Sequence, residues 1–449
     1  MSDDRPATRS KRFFKLAGMT ASVAGNFASS KIKGIFQDEE GATKSREQNM
    51  REAGDRIAKT LGELKGAVMK VGQMASVASD ILPKELTQAL ATLQKDAPPM
   101  AYEVIESQIV TELGGPPEEL FASFDREPFA SASIGQVHRG VTHDGREVIV
   151  KVQYPGVDKA VDSDLRQLKL ALRASGIINV SKKALDETFQ ETRDRLHEEL
   201  NYEHEAGNTR LMAELHRDDE FILIPEVVEE LSSRRVLTII YEEGDTFEYA
   251  GAPYDQETRD LLGKRLLSLM AIQIFRNGAI HGDPNPGNFA VRKDGTIVMY
   301  DYGCIKRLPR DLVFAYRDLI TSSIAEDYGG TESALRRLGL RNLDGPPVEF
   351  EFYKRFRDIF VIPHEHRTPY DYGTSDMGEK VVKLVPGVMK RINSFQPAKD
   401  LIFVDRMVGG HYGNLRTLGA RVVVLDTLEP YWQAVDEAPL AGLAEDSAT

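Results

Sequence analysis

The chain has 449 residues, of which 41% are apolar and 28% charged, so it fits one large domain with extensions or up to three domains. Its formal net charge of −13 argues against broad nucleic-acid binding, because phosphate recognition needs a basic surface. The single cysteine, Cys304, excludes an intramolecular disulfide and a multi-cysteine metal site. We therefore expect a globular protein of a reducing compartment, the cytoplasm, with no nucleic acid among its partners.

The N-terminal segment contrasts with the acidic remainder of the chain. Residues 5–37 contain seven basic side chains and no acidic one, and Phe13, Phe14 and Phe27 are interleaved with them. This composition is typical of a helix that lies on anionic lipid, but it also fits a disordered basic tail, and both interpretations stay open. No apolar run of about 18 residues occurs, so the sequence predicts no transmembrane helix.

Strong helical periodicity follows. Apolar residues between Ile57 and Ala78 recur at alternating spacings of four and three, which lines one face of a helix. Pro83 predicts the end of that helix. The stripe itself indicates core packing and carries no chemistry.

The next elements predict a mixed fold. Strand-like residues 136–141 and 147–153 flank a turn, which predicts a hairpin. A charged stretch over residues 183–216 predicts one long helix, and residues 235–241 predict another strand. Helices dominate from about Thr258 onward. This order favours an α+β fold with two lobes and a cleft between them.

The segment from His281 to Asn288 carries the strongest chemical signal. Asp283 and Asn288 are five residues apart, in a loop stiffened by Pro284 and Pro286. A protein-kinase catalytic loop has the same separation, with the Asp orienting the acceptor and the Asn binding metal. We therefore assign Asp283 as the candidate base and Asn288 as a metal ligand, and we expect His281 to brace the loop.

A second acidic element lies eighteen residues after Asp283. Asp301-Tyr302-Gly303 follows a strand-like segment and matches the kinase Asp-Phe-Gly element, with Tyr in place of Phe. Asp301 is therefore the second candidate metal ligand. Cys304 comes directly after it, and we expect this cysteine to serve packing.

The upstream half supplies candidate phosphate-binding residues. Residues 148–151 end a strand in Lys151, like the kinase Val-Ala-Ile-Lys. Residues 130–137 overlay the kinase glycine-rich loop, with alanine at its first two glycine positions, and alanine tolerates positive φ poorly. The candidate cofactor-binding residues are Ala130, Ala132, Ser133, Gly135, Gln136, Val137 and Lys151, with Glu242 in the connector after the later strand.

Over residues 50–420 this combination resembles the UbiB-like atypical kinases, which include bacterial UbiB/AarF proteins and mitochondrial and plastid relatives. That family has an alanine-rich loop and a Lys-x-Gly-Gln motif, here Lys70 to Gln73. Its catalytic loop reads His-Ala-Asp-Pro-His-Pro-Gly-Asn, from which this chain departs at Gly282 and Asn285.

The resemblance also assigns two glutamates. Glu205 maps to the partner of Lys151, and Glu199 maps to the partner of Lys70, while Asn201 stands where the family has Asp. On one continuous helix, Glu199 and Glu205 lie about 120° apart, at about 100° per residue, so they can serve two different lysines. The alternative is that both belong to a solvated helix surface. We expect Asn201 to weaken the contact with Lys70.

The resemblance implies a two-lobed protein-kinase-like fold with an N-terminal helical extension. It also implies ATP and Mg²⁺ as cofactors and a role in isoprenoid-quinone (ubiquinone-type) or membrane-lipid metabolism. In the family the Lys-x-Gly-Gln helix covers the peptide site, which favours ATP hydrolysis or a small-molecule or lipid-like substrate. Quinone-biosynthesis proteins and an anionic membrane surface are the implied partners. A phosphotransferase for a protein or small molecule, and a nucleotide-gated scaffold without catalysis, remain alternatives.

These patterns predict five segments. They are the N-terminal segment 1–45, the helical extension 46–125, the kinase-like N-lobe 126–250, the C-lobe 251–420 and the tail 421–449.

Overall fold

The computed structural model describes residues 100–131, 134–157 and 182–444 apart from 362–364 and 399, with isolated positions between 162 and 173. These residues form two compact units. The first includes the described residues up to Ala206 and Val227–Tyr241, and the second includes Gly207–Glu226 and the described residues from Glu242 onward. Within the described part, no helix is both long and apolar enough to cross a bilayer.

Several sequence predictions fall outside the described residues. They concern the basic segment 5–37, the apolar stripe from Ile57 to Ala78, Lys70 with its motif, and the loop residues Ala132 and Ser133.

An antiparallel sheet forms the framework of the first unit. Its elements are α1 (Tyr102–Leu113), α2 (Pro117–Leu120), β1 (Ser123–Phe124), β2 (Ala130–Ser131), β3 (Gly135–Val141), β4 (Glu147–Gln153), α3 (Lys182–Glu199), the start of α4 (Tyr202–Leu215) and β6 (Val236–Ile240). The strand order is β1–β3–β4–β6, with β2 paired to β3. The predicted hairpin is confirmed, because β3 and β4 pair along their full lengths.

The two faces of β4 pack against different clusters of residues. Val148, Val150 and Val152 are buried in a cluster with residues of α1. Side chains alternate along a strand, so Ile149 and Lys151 point to the opposite face. There Ile149 packs in a second cluster that includes residues from the start of α4.

The prediction of one helix over residues 183–216 is wrong. The chain forms two helices, α3 and α4, that are interrupted at Leu200 and Asn201. Asn201 starts α4: its Oδ1 accepts from the Glu203 amide at 3.2 Å, and its carbonyl accepts from the Glu205 amide at 3.2 Å. This is the geometry of an N-cap, a position that favours Asn and Asp. The angular argument relating Glu199 to Glu205 therefore fails, since it assumed a continuous helix.

Small strands and a helical core make up the second unit. Its elements are β5 (Ile222–Leu223), α5 (Phe247–Ala250), α6 (Gln256–Ala271), β7 (Ala279–His281), β8 (Phe289–Val291), β9 (Ile297–Met299), β10 (Ile305–Arg307), α7 (Arg310–Ile324), α8 (Tyr328–Arg337), α9 (Phe350–Phe360), β11 (Tyr370–Asp371), α10 (Met377–Met389), α11 (Leu401–Leu418), β12 (Arg421–Val422) and α12 (Val424–Gln433). β9 lies between β5 and β8, and β7 pairs with β10. A large apolar cluster joins α6, α11 and α12 to these strands.

The Asn201 cap gives a stability prediction. Asn201→Ala removes the oxygen that accepts from the Glu203 amide, and we expect it to lower the free energy of unfolding by about 1 kcal/mol. Asn201→Asp keeps an acceptor and places a negative charge at the helix N-terminus, so we expect it to preserve stability. Urea unfolding of both variants measures this. Equal destabilisation by Ala and Asp would contradict the cap.

Candidate active site

An ion pair in the first unit joins Lys151 of β4 to Glu205 of α4. Lys151 Nζ lies 2.6 Å from Glu205 Oε1, and the two side chains are only 13% and 7% exposed. The Asn201 cap fixes where α4 begins and so places Glu205 in its first turn. Strand register and helix start thus bring together two residues that are far apart in sequence. The structure pairs them as the sequence predicted.

The alanine-rich loop is described at its ends. Ala130 lies opposite Val137 in the β2–β3 pair, and Val137 lies opposite Lys151 in the β3–β4 pair, so Val137 shares the Lys151 face. Gln136 points the other way: it is buried, and its Oε1 accepts from the Met100 amide. Gly135 begins β3. The position of Gln136 favours a structural role for its side chain.

Local hydrogen bonds set the shape of the catalytic-type loop in the second unit. Asn285 Oδ1 accepts from the Gly287 amide at 3.0 Å, which starts a short 3₁₀ turn, Pro286–Asn288. Asn288 Nδ2 then donates to Asp283 Oδ2 at 3.0 Å and to the Asp283 carbonyl at 3.2 Å. The predicted base and the predicted metal ligand are therefore in direct contact.

Two backbone hydrogen bonds bring Asp301 to this loop. The Gly282 amide donates to the Cys304 carbonyl at 2.7 Å, and the Tyr300 amide donates to the Asn288 carbonyl at 3.0 Å. Asp301 directly follows Tyr300, so its position is tied to that of Asn288. The two predicted metal ligands lie on adjoining segments for this reason.

His281 braces the two segments, as expected. Its ring is fully buried; Nδ1 accepts from the Asp283 amide at 3.4 Å, and Nε2 donates to the Asp301 carbonyl. Burial lowers the pKa of His281, which favours the neutral ring that this donor–acceptor arrangement requires. The histidine therefore acts as a bridge between loops.

Tyr302 anchors the Asp-Tyr-Gly element. Tyr302 is 1% exposed. Its hydroxyl, which the Phe of the kinase element lacks, donates to the Met299 carbonyl at 2.8 Å, so the buried polar group has a partner. Asn208 Nδ2 donates to the Tyr302 carbonyl at 2.9 Å. These contacts hold the backbone on the C-terminal side of Asp301.

Glu242 and Glu199 are the two remaining predicted residues, and the structure describes the side chain of only the first. Glu242 pairs through Oε2 with Arg292 at 2.8 Å, so its carboxylate is engaged within the second unit. Glu199 ends α3, and its side chain lies outside what the structure describes.

Sequence reasoning missed the helix that supports the catalytic-type loop. α11 presents Arg406, Gly410 and Asn414, at spacings of four, to the segment that holds Asp283 and Pro284. Asn414 Nδ2 donates to the Pro284 carbonyl at 3.2 Å, and a Cβ added at Gly410 would lie 2.1 Å from Pro284 Cγ. The signal in the sequence was the Gly409-Gly410 pair, because glycine weakens a helix unless a close approach requires it.

Cys304 and Gly282 depend on each other. A Cβ at Gly282 would lie 2.9 Å from Cys304 Sγ and 3.2 Å from Phe403. The family has alanine at the position of Gly282. In this chain Cys304 Sγ lies where it would crowd the methyl group of that alanine. This contact agrees with the packing role expected of Cys304.

The chain is similar to several known proteins. The ABC1 atypical kinase-like domain matches residues 92–334. The mitochondrial atypical kinase coq-8 of Caenorhabditis elegans is 31% identical over 366 residues, which are 80% of this chain and 48% of that protein. The mitochondrial atypical kinase COQ8 of Saccharomyces cerevisiae is 30% identical over 344 residues, 75% of this chain and 67% of that protein.

A solved structure supports the same fold. The complex of Rv3197 with erythromycin from Mycobacterium tuberculosis matches with a TM-score of 0.61 and 28% identity, over 90% of this chain and 100% of that chain. The chain spans about half the length of the nematode relative and two thirds of the yeast relative. A matched domain that covers more than half of the chain, together with these relatives, shows that the protein has a protein-kinase-like fold and belongs to the ABC1 (UbiB) family of atypical kinases.

Proposed function

We propose that this protein binds ATP with Mg²⁺ and hydrolyses it or transfers its γ-phosphoryl group to a small-molecule or lipid-like acceptor. The observation that carries the proposal is the largely buried 2.6 Å pair of Lys151 and Glu205. In protein kinases such a strand lysine, held by a helix glutamate, contacts the phosphates. Val137, which shares the Lys151 face, is the candidate contact for the nucleotide on β3.

The second unit supplies the groups that fit a magnesium ion. Asn288 donates through Nδ2 to Asp283, which turns its amide oxygen away from that carboxylate. Asp301 would contribute carboxylate oxygen, and oxygen ligands are those that Mg²⁺ prefers. Asn288 and Asp301 would hold the metal, which when bound neutralises charge on the phosphates. Asp283 would orient the acceptor or water.

Family membership supports a proposal for the physiological setting. We place the activity in isoprenoid-quinone (ubiquinone-type) or membrane-lipid metabolism, with quinone-biosynthesis proteins as partners. Residues 5–37, basic and aromatic, would hold the protein peripherally on an anionic membrane surface at the cytoplasmic side. If the segment with Lys70 covers the acceptor site as it does in the family, small acceptors would be favoured over proteins.

Two substitutions separate the metal role from the base role. Asp301→Asn removes a charged metal ligand, so we expect it to weaken Mg²⁺-dependent ATP binding in calorimetry and to abolish turnover. Asp283→Asn leaves both predicted ligands in place, so we expect ATP affinity to persist while kcat falls about 100-fold or more. Lys264→Met, at an exposed position of α6, is the matched control.

The wild-type protein decides between the proposal and a scaffold. Normal Mg²⁺-dependent ATP binding without turnover, with acceptor lipids present, would favour the scaffold. Full activity in Asp283→Asn would remove Asp283 from the role of base.

The membrane proposal predicts activation by lipid. Liposomes that contain anionic phospholipid should bind the full chain and raise ATP turnover, whereas neutral phosphatidylcholine liposomes should not. Replacing Arg9, Lys11, Arg12 and Lys15 with Gln should abolish liposome binding without altering basal turnover, because the electrostatic contribution is about 1 kcal/mol per basic residue. Co-sedimentation and phosphate release measure the two effects. Equal response to both liposome types would contradict the proposal.

Two glycines of α11 give a matched pair of variants. Gly410→Ala forces the loop at Pro284 to move, so we expect kcat to fall about 100-fold, the usual cost of misplacing a catalytic group by about 1 Å. Gly413→Ala meets no atom within 4 Å, and we expect it to keep activity and to stabilise the helix by up to about 1 kcal/mol. Steady-state kinetics and thermal unfolding measure both. Equal activity in the two variants would show that the Gly410 contact is not needed.

A further inference from the structure

We infer that Arg406 is a positioning residue for the catalytic-type loop and acts through the carboxylate of Asp283. The inference rests on the proposed function, because it concerns the rate of the same reaction. Arg406 lies in α11, more than a hundred residues after the loop in sequence, and belongs to none of the motifs that identify the family here.

The two carboxylate oxygens of Asp283 have different surroundings. Oδ2 accepts the hydrogen bond from Asn288 Nδ2 at 3.0 Å. Oδ1 faces the Arg406 guanidinium, with Nη2 at 3.7 Å. That separation exceeds a hydrogen bond but lies within the distance of an ion pair. The guanidinium can therefore restrict the rotation of the Asp283 carboxylate. It leaves a lone pair of Oδ1 available for a hydrogen bond from water or from the hydroxyl group of the substrate.

The backbone of α11 fixes the base of the Arg406 side chain. Arg406, Gly410 and Asn414 recur every four residues and so share one face of the helix. One turn after Arg406, Gly410 lets α11 approach Pro284, and a further turn on, Asn414 donates to the Pro284 carbonyl. His411, fully buried beside Phe289 with ring centroids 5.0 Å apart, adds a third contact.

The exposure of the pair argues for a kinetic role. The Arg406 and Asp283 side chains are 26% and 37% exposed, so solvent weakens their attraction, and such pairs contribute little to stability. A pair of this kind still biases the orientation of a carboxylate. Loss of Arg406 should thus appear in the rate and leave the fold unchanged.

The test compares Arg406→Gln and Arg406→Lys with Arg416→Gln, a control at an exposed position of the same helix. We expect Arg406→Gln to lower kcat about 10- to 100-fold, with thermal stability and the Kd for Mg²⁺–ATP unchanged. Lysine keeps the charge and should recover most of the rate, and Arg416→Gln should match wild type. All four proteins are assayed as the full chain.

A double-mutant cycle tests whether Arg406 acts through Asp283. If it does, Arg406→Gln combined with Asp283→Asn should be no slower than Asp283→Asn alone in single-turnover assays at high enzyme concentration. Multiplicative losses, or a raised Kd for Mg²⁺–ATP in Arg406→Gln, would overturn the inference in favour of a direct phosphate contact. An unchanged kcat in Arg406→Gln would also overturn it. Absence of turnover in wild type would instead refute the proposed function.

Discussion

Two backbone hydrogen bonds hold together the segments that form the candidate site of the second unit. Gly282 donates to Cys304 and Tyr300 donates to Asn288, so the segments before and after β8 and β9 are held in one register. The His281 bridge and the Asn288–Asp283 bond are made within this frame. Helix α11 adds contacts to it from outside, through Asn414 and Arg406. Because peptide groups make the frame, the positions of its segments depend little on side-chain identity, although the space beside Gly282 is taken by Cys304. The departures from the family motif at Gly282 and Asn285 are consistent with such a frame.

Close packing completes what the backbone register begins. The loop around Pro284 has α11 against it at the distance that only glycine permits, and Asn414 satisfies the Pro284 carbonyl. Proline restricts the loop from within, and the helix restricts it from outside. A loop limited in both ways loses little entropy when it orders around a ligand, which is the benefit of preorganisation in phosphoryl transfer. The same helix brings Arg406 to Asp283.

Local signals in the sequence predicted the α+β fold and two of the contacts among the candidate residues, Lys151 with Glu205 and the Asp283 loop with Asn288. The hairpin, the strand before Glu242 and the loop motifs were predictable because strand alternation and short motifs depend on neighbouring residues. The long helix was mispredicted because Asn201 interrupts it: the periodic pattern continues through residues 183–216, and only the cap geometry reveals the break. Arg406 and Asn414 were missed since their roles come from tertiary contacts that no local pattern encodes. The Gly409-Gly410 pair was the one local trace of that contact.

The Lys151–Glu205 pair is better explained by function than by stability. Both side chains are largely removed from water, and the desolvation of two charges offsets much of their attraction, so an apolar pair of similar size would often be as stable. The neighbours of Lys151 on its sheet face are apolar, Ile149 and Leu237 among them, and would accommodate such a replacement. A cation held in a rigid strand has a different use under the proposed function, because it would present a fixed charge to phosphate oxygens. The Asn201 cap would matter for the same function, because a shift in the start of α4 would move Glu205 away from Lys151.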